Sequence, residues 1–146
     1  MKILVKKLHD DSQIPIFGSE FAAGADLYAY INGTGHVAIN PGQIVKIGTG
    51  IAAAIPPGYW GGIYARSGLA VKNGLRPANC VGVDDADYRG EIIVALYNDS
   101  DQQQIVYHGD RVAQLVITPV PKVTYEVADS LDDTDRGDGG FGHTGV

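Results

Sequence analysis

The stretch NPGQIVKIGTGIAAAIPPGYWGGIY, Asn40 to Tyr64, decides the fold class. Its apolar residues fall in runs at 44–47, 51–55 and 63–64, too short for helices and bounded each time by glycine or proline. Runs of about 4–8 apolar residues between turn signals read as strands. Asn40-Pro41-Gly42 and Pro56-Pro57-Gly58 are such signals, because proline presets φ and glycine accepts the left-handed backbone that tight turns need. Gly48-Thr49-Gly50-Ile51-Ala52-Ala53 loosely echoes a dinucleotide-binding fingerprint. It runs into Pro56-Pro57-Gly58 instead of a helix, so the helix N-terminus that would hold a pyrophosphate is missing.

Working outward, further runs at 3–5, 92–97, 112–117 and 123–127 are separated by Asn32-Gly33, Asn73-Gly74 and His108-Gly109-Asp110. Gly33-Thr34-Gly35-His36-Val37-Ala38 is a second false fingerprint, for it too leads into no helix. With 20 glycines, about twice the average share, and 7 prolines, the 146-residue chain is broken into short extended pieces. The expectation is one all-β domain, a sandwich, barrel or jelly roll. The one predicted helix is Ser67–Asn73, with Ser67 as N-cap and Gly74 as stop. From Asp129 onward the chain reads DSLDDTDRGDGGFGHTGV, almost without aliphatic residues. Residues 1–128 are therefore expected to form the core and 129–146 a glycine-rich arm.

A net charge of −6 and a pI near 4.9 disfavour a nucleic acid polymer as partner, since backbone binding needs a basic surface. A small anion held by a few arginines remains open. The single cysteine, Cys80, cannot close an intramolecular disulfide and suggests a reducing compartment. MKILVKKLHDD lacks the apolar centre of a signal peptide, and no run approaches a membrane span. The expectation is a soluble protein, cytoplasmic or otherwise intracellular, with no membrane partner.

There is no GxxxxGK[ST] and no HExxH, and His9, His36, His108 and His143 are scattered. Ala65-Arg66-Ser67-Gly68-Leu69-Ala70 fits a phosphate site, because Arg offers a charged fork, Ser a hydroxyl, Gly close approach and a helix start free N–H groups. It fits a capped surface helix with a solvated Arg equally well. Asp84 to Glu91 packs four carboxylates into eight residues before an apolar strand. Alone, this reads as a solvated turn. Asn79 upstream, able to read a base edge, and Tyr88, able to stack on a sugar, point to a ligand instead. In the arm, Arg136, Phe141 and Thr144 suit a flap that closes on a ligand, although a disordered tail is the plainer reading.

Five segments taken in order resemble the motifs of the trimeric dUTPase family. They are Ala23-Gly24-Ala25-Asp26-Leu27, Arg66-Ser67-Gly68-Leu69-Ala70, Gly82-Val83-Asp84-Asp85-Ala86-Asp87-Tyr88-Arg89-Gly90, Gly109-Asp110-Arg111-Val112-Ala113-Gln114 and residues 136–145. The resemblance implies a jelly-roll-like β-clip fold with one short helix and a flexible C-terminal arm. It implies hydrolysis of dUTP to dUMP and pyrophosphate, limiting uracil in DNA and supplying dUMP. Asn79 and the hairpin residues Gly82, Val83, Asp84 and Asp85 would select uracil, with Tyr88 under the deoxyribose and Ile93 also binding substrate. Arg66, Ser67, Gly68 and Gln114 would hold phosphates, while Arg136, Phe141, Gly142, His143 and Thr144 close over them. Asp85 is the implied catalytic base. The implied cofactor is Mg²⁺, bound mainly by phosphate and water and reached by Asp26 through water. The implied assembly is a homotrimer with shared active sites.

Three positions depart from the family pattern. Ala65 stands where Pro is frequent, His143 where Ser is common, and Asp84 where an aliphatic residue is usual. Asp84 is expected to face solvent or a partner, because burying it unpaired is costly. The rival enzyme is a dCTP deaminase of the same fold. A regulatory protein on a dUTPase scaffold is the rival from another class.

Overall fold

The structure is a computed structural model and describes residues 1–32 and 35–141. The strands are β1 (Leu4–Lys7), β2 (Ile16–Phe17), β3 (Ala25–Tyr28), β4 (His36–Ile39), β5 (Ile44–Gly48), β6 (Ile51–Ala54) and β7 (Tyr59–Tyr64). After helix α1 (Ser67–Asn73) come β8 (Leu75–Pro77), β9 (Val81–Asp84), β10 (Ile93–Asn98), β11 (Gln104–Tyr107) and β12 (Arg111–Pro119). A five-stranded sheet runs β2-β3-β12-β7-β9, and a three-stranded sheet runs β5-β10-β8. β1 with β6, and β11 with β4, form two-stranded ladders. Every ladder is antiparallel.

Strands that bury one face alternate, as β3, β9 and β10 do. β10 shows it plainly: Val94, Leu96 and Asn98 are buried while Ile93 is exposed. Val94 and Leu96 join Leu27, Ile39, Ile47, Ile51 and Val112 in one core. The turns behave as their composition dictates, with Gly42, Gly58 and Gly109 all at positive φ. The all-β, jelly-roll-like expectation with one short helix holds, and so do the helix limits.

Two local expectations do not. Arg66 occupies the N-cap with extended backbone, and Ser67 is already helical, with no side-chain cap bond. Gly74 does end the helix, at φ 66 in the left-handed region. The predicted strand at 123–127 is absent. Val123, Tyr125 and Val127 alternate correctly, yet all are exposed and unladdered beyond the end of β12. Alternation supplies a face to bury but not the partner strand that makes it a sheet.

Candidate active site

β9 and β10 build the first cluster. β9 pairs with β7 in the five-stranded sheet, whereas β10 pairs with β5 and β8 in the other. The expected hairpin is therefore a crossing between two sheets, and a pocket of about 200 Å³ opens along it. Asn79, Gly82, Val83, Asp84, Asp85, Tyr88 and Ile93 all line it, together with Ile63, Glu91 and Ile92. Gly82 packs closely, since a Cβ there would lie 3.1 Å from Ile63 Cβ and 3.3 Å from the Asn79 amide nitrogen. The crossing is braced internally. Tyr88 N–H donates to Asp85 O at 3.1 Å, and Arg89 Nη1 donates to the carbonyls of Ala86 and Tyr88 at 2.7 and 2.6 Å.

Asp85 is exposed, and its carboxylate accepts no hydrogen bond among the described residues. Asp84 contradicts expectation, being buried at 6% exposure. The pleat of β9 turns Gly82 and Asp84 inward and Val83 outward. Asp84 fits because Gly61 is its partner across the ladder and leaves the space of a missing side chain. Burial raises its pKa from 3.8 to about 6, helped by the Asp85 charge and opposed by Arg89.

The second cluster lies on the β3–β12–β7 part of the five-stranded sheet and the start of α1. Asp26 accepts from Arg66 Nε on Oδ1 at 2.8 Å and from Arg111 Nη1 on Oδ2 at 3.2 Å. Arg66 also donates to Arg111 O at 3.3 Å. The solvated-Arg reading of Arg66 therefore falls. Gln114 pairs with Asp26 in register and donates its amide to Ala65 O at 2.9 Å. Its side chain lies against Gly24, where a Cβ would come within 2.6 Å of Oε1. Gly68 has open space around it, as close approach by a ligand requires. Arg66 and Arg111 line a pocket of about 300 Å³ that shares no residue with the Asp85 pocket.

Among the described residues no three His, Cys, Asp or Glu side chains cluster to hold a metal. Asp26, already bridged by two guanidiniums, suits a cation carried by phosphate and water better than one bound directly. In the arm, Arg136 Nε donates to Gly139 O at 2.9 Å in a local turn, and Phe141 is fully exposed. Gly142, His143 and Thr144 lie outside the described residues, as do Gly33 and Thr34. No described helix is long and apolar enough to cross a membrane.

Sequence reasoning missed the roles of Arg111 and Glu91. Arg111 lies 85 residues from Asp26, and only the β3–β12 register brings them together. Glu91 passed for one more charge in an acidic turn.

An antiparallel jelly-roll-like fold carrying an acidic base-sized pocket and a separate arginine cluster defines a protein built for a small anionic ligand. The sequence profile of the dUTPase family matches residues 10–145, and the chain belongs to that family. It is 48% identical over 143 residues to the deoxyuridine 5'-triphosphate nucleotidohydrolase of Syntrophotalea carbinolica, covering 98% of this chain and 96% of that one. With the enzyme of the same name from Hydrogenobaculum it shares 47% over 146 residues, covering 100% and 99%. Among solved structures, the dUTPase of Staphylococcus bacteriophage 80alpha with dUPNHPP bound superposes with a TM-score of 0.85 at 25% identity, covering 99% of both chains.

Proposed function

We infer that this chain hydrolyses dUTP to dUMP and pyrophosphate, and that the two clusters divide the substrate between them. The observation that carries the reading is the Asp85 pocket: an unpartnered carboxylate at the rim of a base-sized cavity that also holds an amide and a tyrosine ring. Asn79 and the backbone of residues 83–85 read the uracil edge. Cytosine would reverse a donor and an acceptor, leaving buried polar groups unpaired at about 1–3 kcal/mol each. Thymine adds a methyl group to a closed pocket, and Tyr88 under the sugar leaves no room for a 2′-hydroxyl.

Arg66, Ser67, Gly68 and Gln114 hold the phosphates, with Arg111 bracing Arg66 through Asp26. Mg²⁺, when bound, would neutralise phosphate charge, with Asp26 reaching its waters. Asp85 orients a water in line with the α-phosphorus and takes its proton. The new O–P bond forms as the bridge to the β-phosphate breaks, and pyrophosphate leaves with the bridging electrons. Residues 129–146 act as an arm whose Arg136, Phe141, Gly142, His143 and Thr144 cover the bound nucleotide and exclude water.

The two pockets share no residue, and Phe141 covers nothing within its own subunit. Both facts support sites completed between subunits of a homotrimer. Light scattering tests this, and a fully active monomer would contradict it. The activity is tested by pyrophosphate release from dUTP, dTTP, dCTP and UTP, each with and without Mg²⁺. Release from dUTP alone, dependent on the cation, is expected. Ammonia from dCTP would instead favour the deaminase.

A further inference from the structure

Beside the pocket sits the Gly48-Thr49-Gly50 turn, whose glycines serve no dinucleotide. They enclose a side chain. The N–H of Gly50, which is at φ 66, donates to Glu91 Oε1 at 2.7 Å. A Cβ on Gly48 would come within 2.5 Å of the same oxygen. Between them Thr49 donates both its N–H and its hydroxyl to Ile92 O, at 3.2 and 2.6 Å, and Ile92 N–H donates to Ile51 O at 2.9 Å. The β5–β6 turn thus grips residues 91 and 92, where the crossing from β9 enters β10. From the other side, Tyr88 Oη donates to the Glu91 carbonyl at 2.9 Å, and both residues line the pocket.

We propose that Glu91 is a positioning residue that sets sugar specificity: seated in the glycine turn, it fixes the carbonyl that holds the Tyr88 ring in place. Tyr88 is 45% exposed, its ring resting against Gly90, where a Cβ would collide with it. Its hydroxyl bond to Glu91 is the one side-chain hydrogen bond it makes among the described residues. A ring free to tilt would admit a 2′-hydroxyl. The inference rests on the proposed reading of the pocket, and it adds the residue that keeps ribose out.

The test compares kcat/KM for dUTP and UTP in wild type, Glu91→Gln, Glu91→Ala, Gly48→Ala and Tyr88→Phe. Glutamine still offers Oε1 to Gly50 and should stay near the wild-type ratio. Glu91→Ala should lower the dUTP preference roughly tenfold or more, chiefly by improved use of UTP. Gly48→Ala evicts the carboxylate while keeping its charge and should do the same, so it decides the matter should Glu91→Ala not fold. Glu91→Ala combined with Tyr88→Phe should lose little beyond the larger single effect, since both act through one contact. A dUTP-to-UTP ratio left intact in both Glu91→Ala and Gly48→Ala, or fully additive losses, overturns the clasp alone. A wild-type protein indifferent to the sugar overturns the pocket reading and the clasp with it.

Discussion

Asp26 and Asp85 are the same side chain in opposite circumstances. Asp26 has both oxygens engaged by guanidiniums, across strands and across 40 and 85 residues of sequence. Asp85 stands exposed, with no partner among the described residues. A carboxylate already shared by two arginines orients them and is held in place by them, keeping only its remaining lone pairs for the waters of a bound cation. One with open lone pairs can receive a water and its proton. On the proposed reading the chain separates charge that holds from charge that reacts: Asp26 grips two arginines that line one pocket, and Asp85 lines another.

The sharpest way to break that comparison is to neutralise each aspartate in turn. Asp85→Asn should cut kcat by roughly 10²–10⁴-fold while dUPNHPP still binds, because the amide keeps the shape and loses the base. Asp26→Asn should act chiefly through KM. Equal effects of the two changes on kcat would erase the distinction.

Removing residues 136–146 probes a cover that neither cluster supplies within its own subunit. A loss on the order of 10² in kcat/KM is expected, the scale attached to misplaced reacting groups. The urea midpoint should not move, since the described part of the arm packs on nothing. Full activity after truncation would make the arm a plain tail.

Arg111→Met tests the holding cluster more gently. Asp26 keeps Arg66, but one charge-assisted bond goes, and KM for dUTP should rise about tenfold. A fall in kcat with unchanged KM would place Arg111 in the reacting half.

What could be read beforehand follows from where each signal resides. β5, β10 and β12 are rich in branched aliphatics, so their strand character is local and legible. β9 reads Val-Gly-Val-Asp and β8 ends in proline, both poor strand formers, and they are strands only because β7 and β10 supply ladders. The 123–127 segment errs the other way, with a strand pattern and no partner. In the site, the residue types were visible because their chemistry is local. The Arg66–Asp26–Arg111 bridge was not, because it depends on register. Nor was the burial of Asp84, which depends on a glycine in another strand.

Asp84 supplies the smallest and most particular test, since it is charge buried where neither holding nor reacting needs it. Its folded pKa, about 6, lies above the ordinary 3.8, so the folded state binds the proton more tightly than the unfolded chain. Stability on this account is greatest below pH 4, falls as pH rises through 6, and is level above. At about 1.36 kcal/mol per pKa unit, the loss at neutral pH is at most about 3 kcal/mol. Asp84→Val should recover most of it, because Ile55 and Leu115 approach the Gly61 space from either side with apolar carbons. Urea unfolding from pH 4 to 8, at one fixed protein concentration, should give a wild-type-minus-variant difference that grows between 4 and 6 and then stops. Asp84→Asn keeps the size and removes the charge, so it should flatten the profile too. A difference independent of pH would mean that the carboxyl reaches the solvent or the partner that the sequence led one to expect.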